Sequence, residues 1–170
     1  MVVKRTARPN EDLLSALGLS YLGQFLGQRV NELILANCRK KGFGEMRVSH
    51  GYVIQHLVET DRPVSRTGSE LARRMGVSQQ AASKTIAELG RLGVVEVSVS
   101  EDRRAKLVSL SARGWAGVQE SRRFRAKMEA RLLRQVGALR YEEARKALRD
   151  CLELLGGVGR IRSRRVRPPE

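Results

Sequence analysis

Residues 67–111 read TGSELARRMGVSQQAASKTIAELGRLGVVEVSVSEDRRAKLVSLS. Thr67 and Glu70 stand at capping-box spacing, and Leu71, Ala72 and Met75 form the apolar side of a short helix that ends at Gly76. Ser78 then caps a second helix. Ala82, Ile86 and Leu89 fall on its core face at i, i+4 and i+7, opposite Gln79, Gln80, Ser83, Lys84 and Ala87. Two short helices joined by Met-Gly-Val-Ser form a helix-turn-helix pattern. The outward face of the second is small and amide-rich, which suits a groove; a merely solvated face carries more Glu and Lys. Val95, Val97 and Val99 alternate with Glu96, Ser98 and Ser100 as a half-buried strand, and KLVSL (106–110) is its partner. Between them Glu101-Asp102-Arg103-Arg104 makes a tip without the Gly, Asn-Gly or Pro of an ordinary tight turn. A hairpin placed directly after the second helix is the order of a winged helix-turn-helix.

Outward from this core the chain is helical. From Glu11 to about Lys41 the spacing predicts one helix with two adjoining apolar stripes, Leu14-Leu17-Tyr21-Phe25 and Leu26-Val30-Ile34-Cys38. It is too apolar to lie half-wet on a small monomer, so burial between subunits is expected. KKGFGEM (40–46) breaks it. SHGYVIQHLVET (49–60) is expected as a short helix capped by Ser49, with Val53, Ile54, Leu57 and Val58 inward, stopped by Asp61-Arg62-Pro63. Beyond the wing, a helix from a Ser111 cap to about Val136 carries Trp115, Val118, Phe124, Met128 and Leu132. Another from about Tyr141 to Leu155 carries Ala144, Leu148, Cys151, Leu152 and Leu155. The fold class is therefore mainly α with a small β-hairpin wing. Its expected parts are an N-terminal dimerisation helix (11–46), a winged helix-turn-helix (47–111), C-terminal dimerisation helices (112–156) and a basic disordered tail (157–170).

The chain of 170 residues has 33 Lys+Arg against 18 Asp+Glu, a formal charge of +15, which predicts a polyanionic partner. The excess is uneven: +4 over residues 1–47, +2 over 48–111 and +9 over 112–170. Any contact made by the wing must therefore act through placement, with the late helices and the tail GRIRSRRVRPPE (159–170) supplying bulk attraction. Cys38 and Cys151 have no CxxC or zinc-type spacing, and no metal site is expected. No run reaches the roughly 18–20 apolar residues of a membrane span. MVVKRTARPN lacks a signal-peptide core, so a cytoplasmic protein is expected. There is no GxSxG, P-loop or HExxH, and GGVGR (156–160) lacks the strand and helix of a dinucleotide turn, so neither an enzyme nor a cofactor is expected.

GVSQQAASKTIAELGRLGVVEVSVSEDRRAKLVSLSARG (76–114), with its Asp102-Arg103-Arg104 signature and the Val-Ser-Leu-Ser that follows, resembles the multiple-antibiotic-resistance regulator (MarR) family. Arg47-Val48-Ser49-His50-Gly51 and Glu70-Leu71-Ala72 are similar to weaker signals of that family upstream. The linker PVSRTGSEL is slightly longer than the family's usual spacing. The resemblance implies a homodimer with interleaved terminal helices that regulates transcription, as a repressor, from a palindromic double-stranded DNA operator. It implies that the second helix enters the major groove, with Gln79 and Gln80 toward bases and Ser78, Ser83 and Lys84 serving bases or phosphate. In the wing, Arg104 would enter the minor groove with Asp102 beside it, while Arg103 meets a phosphate.

Relatives often bind small aromatic or anionic effectors between the dimer helices and the winged domain, for which Tyr21, Tyr52, His56 and Trp115 are the candidate liners here. Each is also an ordinary core residue. Cys38 is the candidate redox thiol, although LLSALGLSYLG, where some relatives carry a sensing cysteine, has none. Two other readings compete: a basic architectural protein binding nucleic acid without sequence preference, and a cysteine-based redox regulator.

Overall fold

The computed structural model describes residues 11–99 and 105–163. The chain opens with two helices, α1 (Glu11–Ser15) and α2 (Leu19–Lys40). The single helix expected over 11–41 is thus broken. Gly18 takes an extended backbone (φ −66°, ψ 159°) and serves as the N-cap of α2, where a helical glycine would forfeit about 1 kcal/mol relative to alanine. Next comes α3 (Val48–Ile54), followed by a 3₁₀ turn (Gln55–Leu57). The cap of α3 is Arg47, not Ser49. The segment that follows leaves the helix for a small hairpin of β1 (Val58–Glu59) and β2 (Arg62–Pro63). Its two turn residues, Thr60 and Asp61, both have positive φ, the backbone of a tight hairpin turn. Pro63 therefore sits within a strand and is not simply a helix stop. Val53, Leu57 and Val58 are all buried, and following that core draws the chain off the helical path.

The helix-turn-helix consists of α4 (Gly68–Met75) and α5 (Gln79–Arg91), with Gly76 in the left-handed region between them (φ 70°, ψ 39°). Leu71, Ala72, Met75, Ala82 and Leu89 are buried, as the periodicity predicts. The wing is formed by β4 (Val95–Val99) and β5 (Lys106–Leu110), paired antiparallel with Val97 opposite Val108. A third strand that the sequence pattern did not reveal, β3 (Arg66–Thr67), pairs with the other side of β5, giving the order β3-β5-β4. Because β4 is an edge strand leaving the core, only Val95 of its three valines is buried; Val97 and Val99 are 54% and 61% exposed. The half-buried strand expected over 95–99 is half-buried only at its start.

The remaining helices are α6 (Ala112–Val136), α7 (Ala138–Leu154) and α8 (Val158–Ser163). Ser111 caps α6 by accepting from Gly114 N at 3.0 Å. The expected apolar stripe of α7 is largely uncovered among the described residues: Leu148, Leu152 and Leu155 are exposed, and Cys151 is half-buried. The tail expected from residue 157 begins with a helix, α8. No described helix is long and apolar enough to cross a membrane.

Candidate nucleic-acid interface

Local chemistry sets the two helices of the helix-turn-helix. Thr67 Oγ1 accepts from Glu70 N at 3.1 Å and starts α4; Ser78 Oγ accepts from Ala81 N at 3.2 Å and starts α5. Apolar burial of Ala82 and Leu89 then turns the other side of α5 outward, so Ser78, Gln79, Gln80, Ser83, Lys84 and Ala87 are all exposed. All five expected contact residues of this helix are thus open to solvent. Capping uses an acceptor site of Ser78, which leaves its hydroxyl proton free to donate.

The wing and its neighbours are tied to this helix from behind. Ser111 Oγ donates to the carbonyls of Gly93 (2.7 Å) and Val94 (3.2 Å), fixing the turn between α5 and β4. Arg66 is buried; its Nε donates to the His56 carbonyl at 2.7 Å, and its guanidinium pairs with Glu70 at 2.6 Å and with Glu59. Burial pushes the Glu70 carboxyl up, but hydrogen bonds from Arg74 and Arg66 outweigh it and hold it below the usual carboxylate range. Asp102, Arg103 and Arg104, the expected wing contacts, lie outside the described residues.

On the flank of α5 facing α3, the Glu88 carboxylate meets Arg47 and the buried His50. The hydrogen bond from Arg47, then that from His50, holds Glu88 below the usual carboxylate range. Sequence reasoning missed this cluster, and Arg66 with it. The partners of Glu88 stand 41 and 38 residues away in the chain, beyond any local periodicity.

Residues 46–105 match the sequence model of the MarR family. The winged segment belongs to the MarR family. Solved structures show the same fold. MepR, a transcription regulator of the Staphylococcus aureus multidrug efflux pump MepA, is 17% identical, with a TM-score of 0.65 over 82% of this chain and 99% of that one. The S. aureus MepR–DNA complex gives 18% identity and a TM-score of 0.58, covering 82% and 98%. YusO from Bacillus subtilis gives 22% and 0.59, covering 86% and 96%. No curated protein matches in sequence.

Between this MarR segment and the long helices lies a cleft of about 760 Å³ bordered by α2, α3, the Thr60–Asp61 turn and α6. Of the four expected effector liners, Tyr52 borders it and Tyr21, His56 and Trp115 do not. Tyr21 is exposed on α2, stacked on Phe25 with ring centroids 6.5 Å apart. His56 is buried in the 3₁₀ turn, and Trp115 lies under the Arg122 guanidinium, 5.6 Å from its ring centroid. The cleft is instead edged by Arg47, Arg113, Arg122 and Arg125, with Asp61 paired to Arg122 at 2.9 Å. Sequence periodicity could not find these arginines, because they come from two elements that only the fold brings together. Cys38 is buried, with Sγ 3.3 Å from Ser121 Oγ, and beside it Asn37 Nδ2 donates to Glu120 at 3.1 Å, so the pair joins α2 to α6. The Asn37 hydrogen bond, followed by that of Arg123, lowers the Glu120 carboxyl below its ordinary value.

Proposed function

We propose that this protein is a sequence-specific DNA-binding transcription regulator that acts as a homodimer and represses from a palindromic operator. The carrying observation is the exposed face of α5: Ser78, Gln79, Gln80, Ser83 and Lys84 project together from a helix capped at its start and anchored behind. A helix of about 10–12 Å fits the roughly 12 Å major groove. Glutamine amides suit the N6/N7 edge of adenine, and the serines and lysine suit phosphate or neighbouring bases. Arg104 inserts into the minor groove, oriented by Asp102 through a charge-assisted hydrogen bond, and Arg103 holds a phosphate. The occurrence of MepR, a fold neighbour, in complex with DNA supports this reading.

The dimer is supported by uncovered apolar surface at both ends of the chain. Leu14, Tyr21, Phe25 and Leu26 on α1 and α2, and Leu152, Leu154 and Leu155 at the end of α7, are exposed, large apolar side chains that a partner subunit would cover. The arginine rim of the α2–α6 cleft, beside Tyr52 and Phe43, favours a small aromatic or anionic effector.

Selection from a pool of random duplexes tests the assignment. The expected product is an inverted repeat with half-site centres about 10 bp apart. Binding that follows only duplex length and salt, with no recovered motif, would instead identify a basic architectural protein.

A further inference from the structure

We propose that Glu88 is a positioning residue: with Arg47 and His50 it forms a link that fixes how α5 sits against α3, and the link serves sequence selectivity rather than general attraction to DNA. This inference rests on the DNA-binding reading above. His50 is only 2% exposed, and Arg47 reaches both of its ring nitrogens, Nδ1 through the backbone and Nε2 through the guanidinium at 3.3 Å. Nδ1 accepts from the Arg47 backbone N–H at 3.2 Å, so the ring proton sits on Nε2. Nε2 in turn lies 3.2 Å from Glu88 Oε2 and donates to it, and the Arg47 guanidinium donates to the same oxygen. One residue thus caps α3 through its backbone and grips α5 through its side chain. The other charged groups bordering this spot are Arg39 and Glu45, paired with each other at 2.8 Å, and Arg91.

Elsewhere α5 is held to the core by apolar side chains such as Ala82 and Leu89. Apolar contact is non-directional and tolerates a small roll or slide of the helix. Hydrogen bonds to a half-buried carboxylate do not, because they weaken steeply off axis. Glu88 follows Lys84 by one turn, and its carboxylate is taken up by Arg47 and His50 of the α3 side, so it acts on base contacts by holding the helix. A roll of α5 misplaces the amides of Gln79 and Gln80 while leaving the cationic surface that attracts any duplex.

The test compares wild type with Glu88→Ala and the near-isosteric Glu88→Gln, which keeps an acceptor for His50 but gives up the charge. Affinity is measured for the duplex selected by the wild type and for a random-sequence duplex of equal length. Hydrogen exchange is followed in α4 and α5. The expected order of selectivity is wild type, then E88Q, then E88A, the last about tenfold below wild type. Random-duplex affinity stays within about twofold, and α5 amides exchange several-fold faster while those of α4 do not. Unchanged selectivity in both variants, equal losses on both duplexes, or exchange that rises equally in α4 and α5 would each overturn the link. If the wild type selects no sequence, the DNA-regulator reading fails, and the exchange comparison alone decides whether Glu88 holds α5.

Discussion

A Cβ added at Gly114 would stand 2.0 Å from the Val94 carbonyl oxygen, where α6 crosses the turn that ends α5. Neither group is a flexible side-chain end, so Gly114→Ala must push backbone apart. The expected loss is about 3 kcal/mol, measured by urea denaturation of the folded protein. Arg66→Met takes a donor from Glu59, Glu70 and the His56 carbonyl, although Arg74 still donates to Glu70. Because Glu59 and Glu70 retain access to water, the expected cost is about 2 kcal/mol, nearer that of an unmet hydrogen bond than of a stranded buried charge. Glu70, Glu88 and Glu120 all have lowered pKa values, so they bind protons less readily folded than unfolded. The stability they supply is present above the unfolded glutamate pKa and is lost as pH falls through the lowered values. Thermal midpoints should therefore hold through neutral pH and fall below about pH 4, and E88Q should flatten part of that fall. At this scale the caps Thr67, Ser78 and Ser111 were legible, since a cap oxygen and the N–H that donates to it lie three residues apart. The Arg47–His50–Glu88 cluster and the Arg66 knot were not, since folding alone assembles them.

Among the elements, α5 was the most legible, because cap, periodicity and outward face agree over one short stretch. Replacing Gln79 and Gln80 by alanine should leave α5 folded, as both are exposed, and cost about 1–3 kcal/mol of base discrimination for each lost bidentate contact. Competition between the selected duplex and single-base variants measures this. Weaker local signals were misleading. The apolar stripes of residues 11–41 suggested one helix, but Gly18 makes a new start cheaper than continuation. The alternating valines of β4 suggested a buried face, yet alternation states only that one side is apolar. Whether anything covers that side depends on the neighbouring element, and past Val95 the strand has left the core. The two-residue strand β3 carries no periodicity at all and exists because Arg66 and Thr67 pass beside Val108 and Leu107.

Over the whole molecule, exposed apolar side chains lie toward both ends of the chain, and the charge excess is largest over residues 112–170. Phe25→Glu combined with Leu26→Glu should dissociate the proposed dimer, read as a halved mass by sedimentation, and should weaken binding to a two-half-site duplex more than to a single half-site. Arg104→Ala should weaken operator binding and reduce the slope of log K against log salt by about 1, whereas deleting 159–170 should lower affinity for all duplexes alike. Composition, charge and local pattern by themselves determined that the chain is mainly helical, basic and built around a helix-turn-helix with a hairpin wing. These properties depend on residues a few positions apart, where caps, turns and periodicity act. Tertiary structure decided the third strand, the arginine-edged cleft and the Glu88 link. Each of these depends on groups distant in sequence meeting at bonding distance, and that proximity is set by how the core packs.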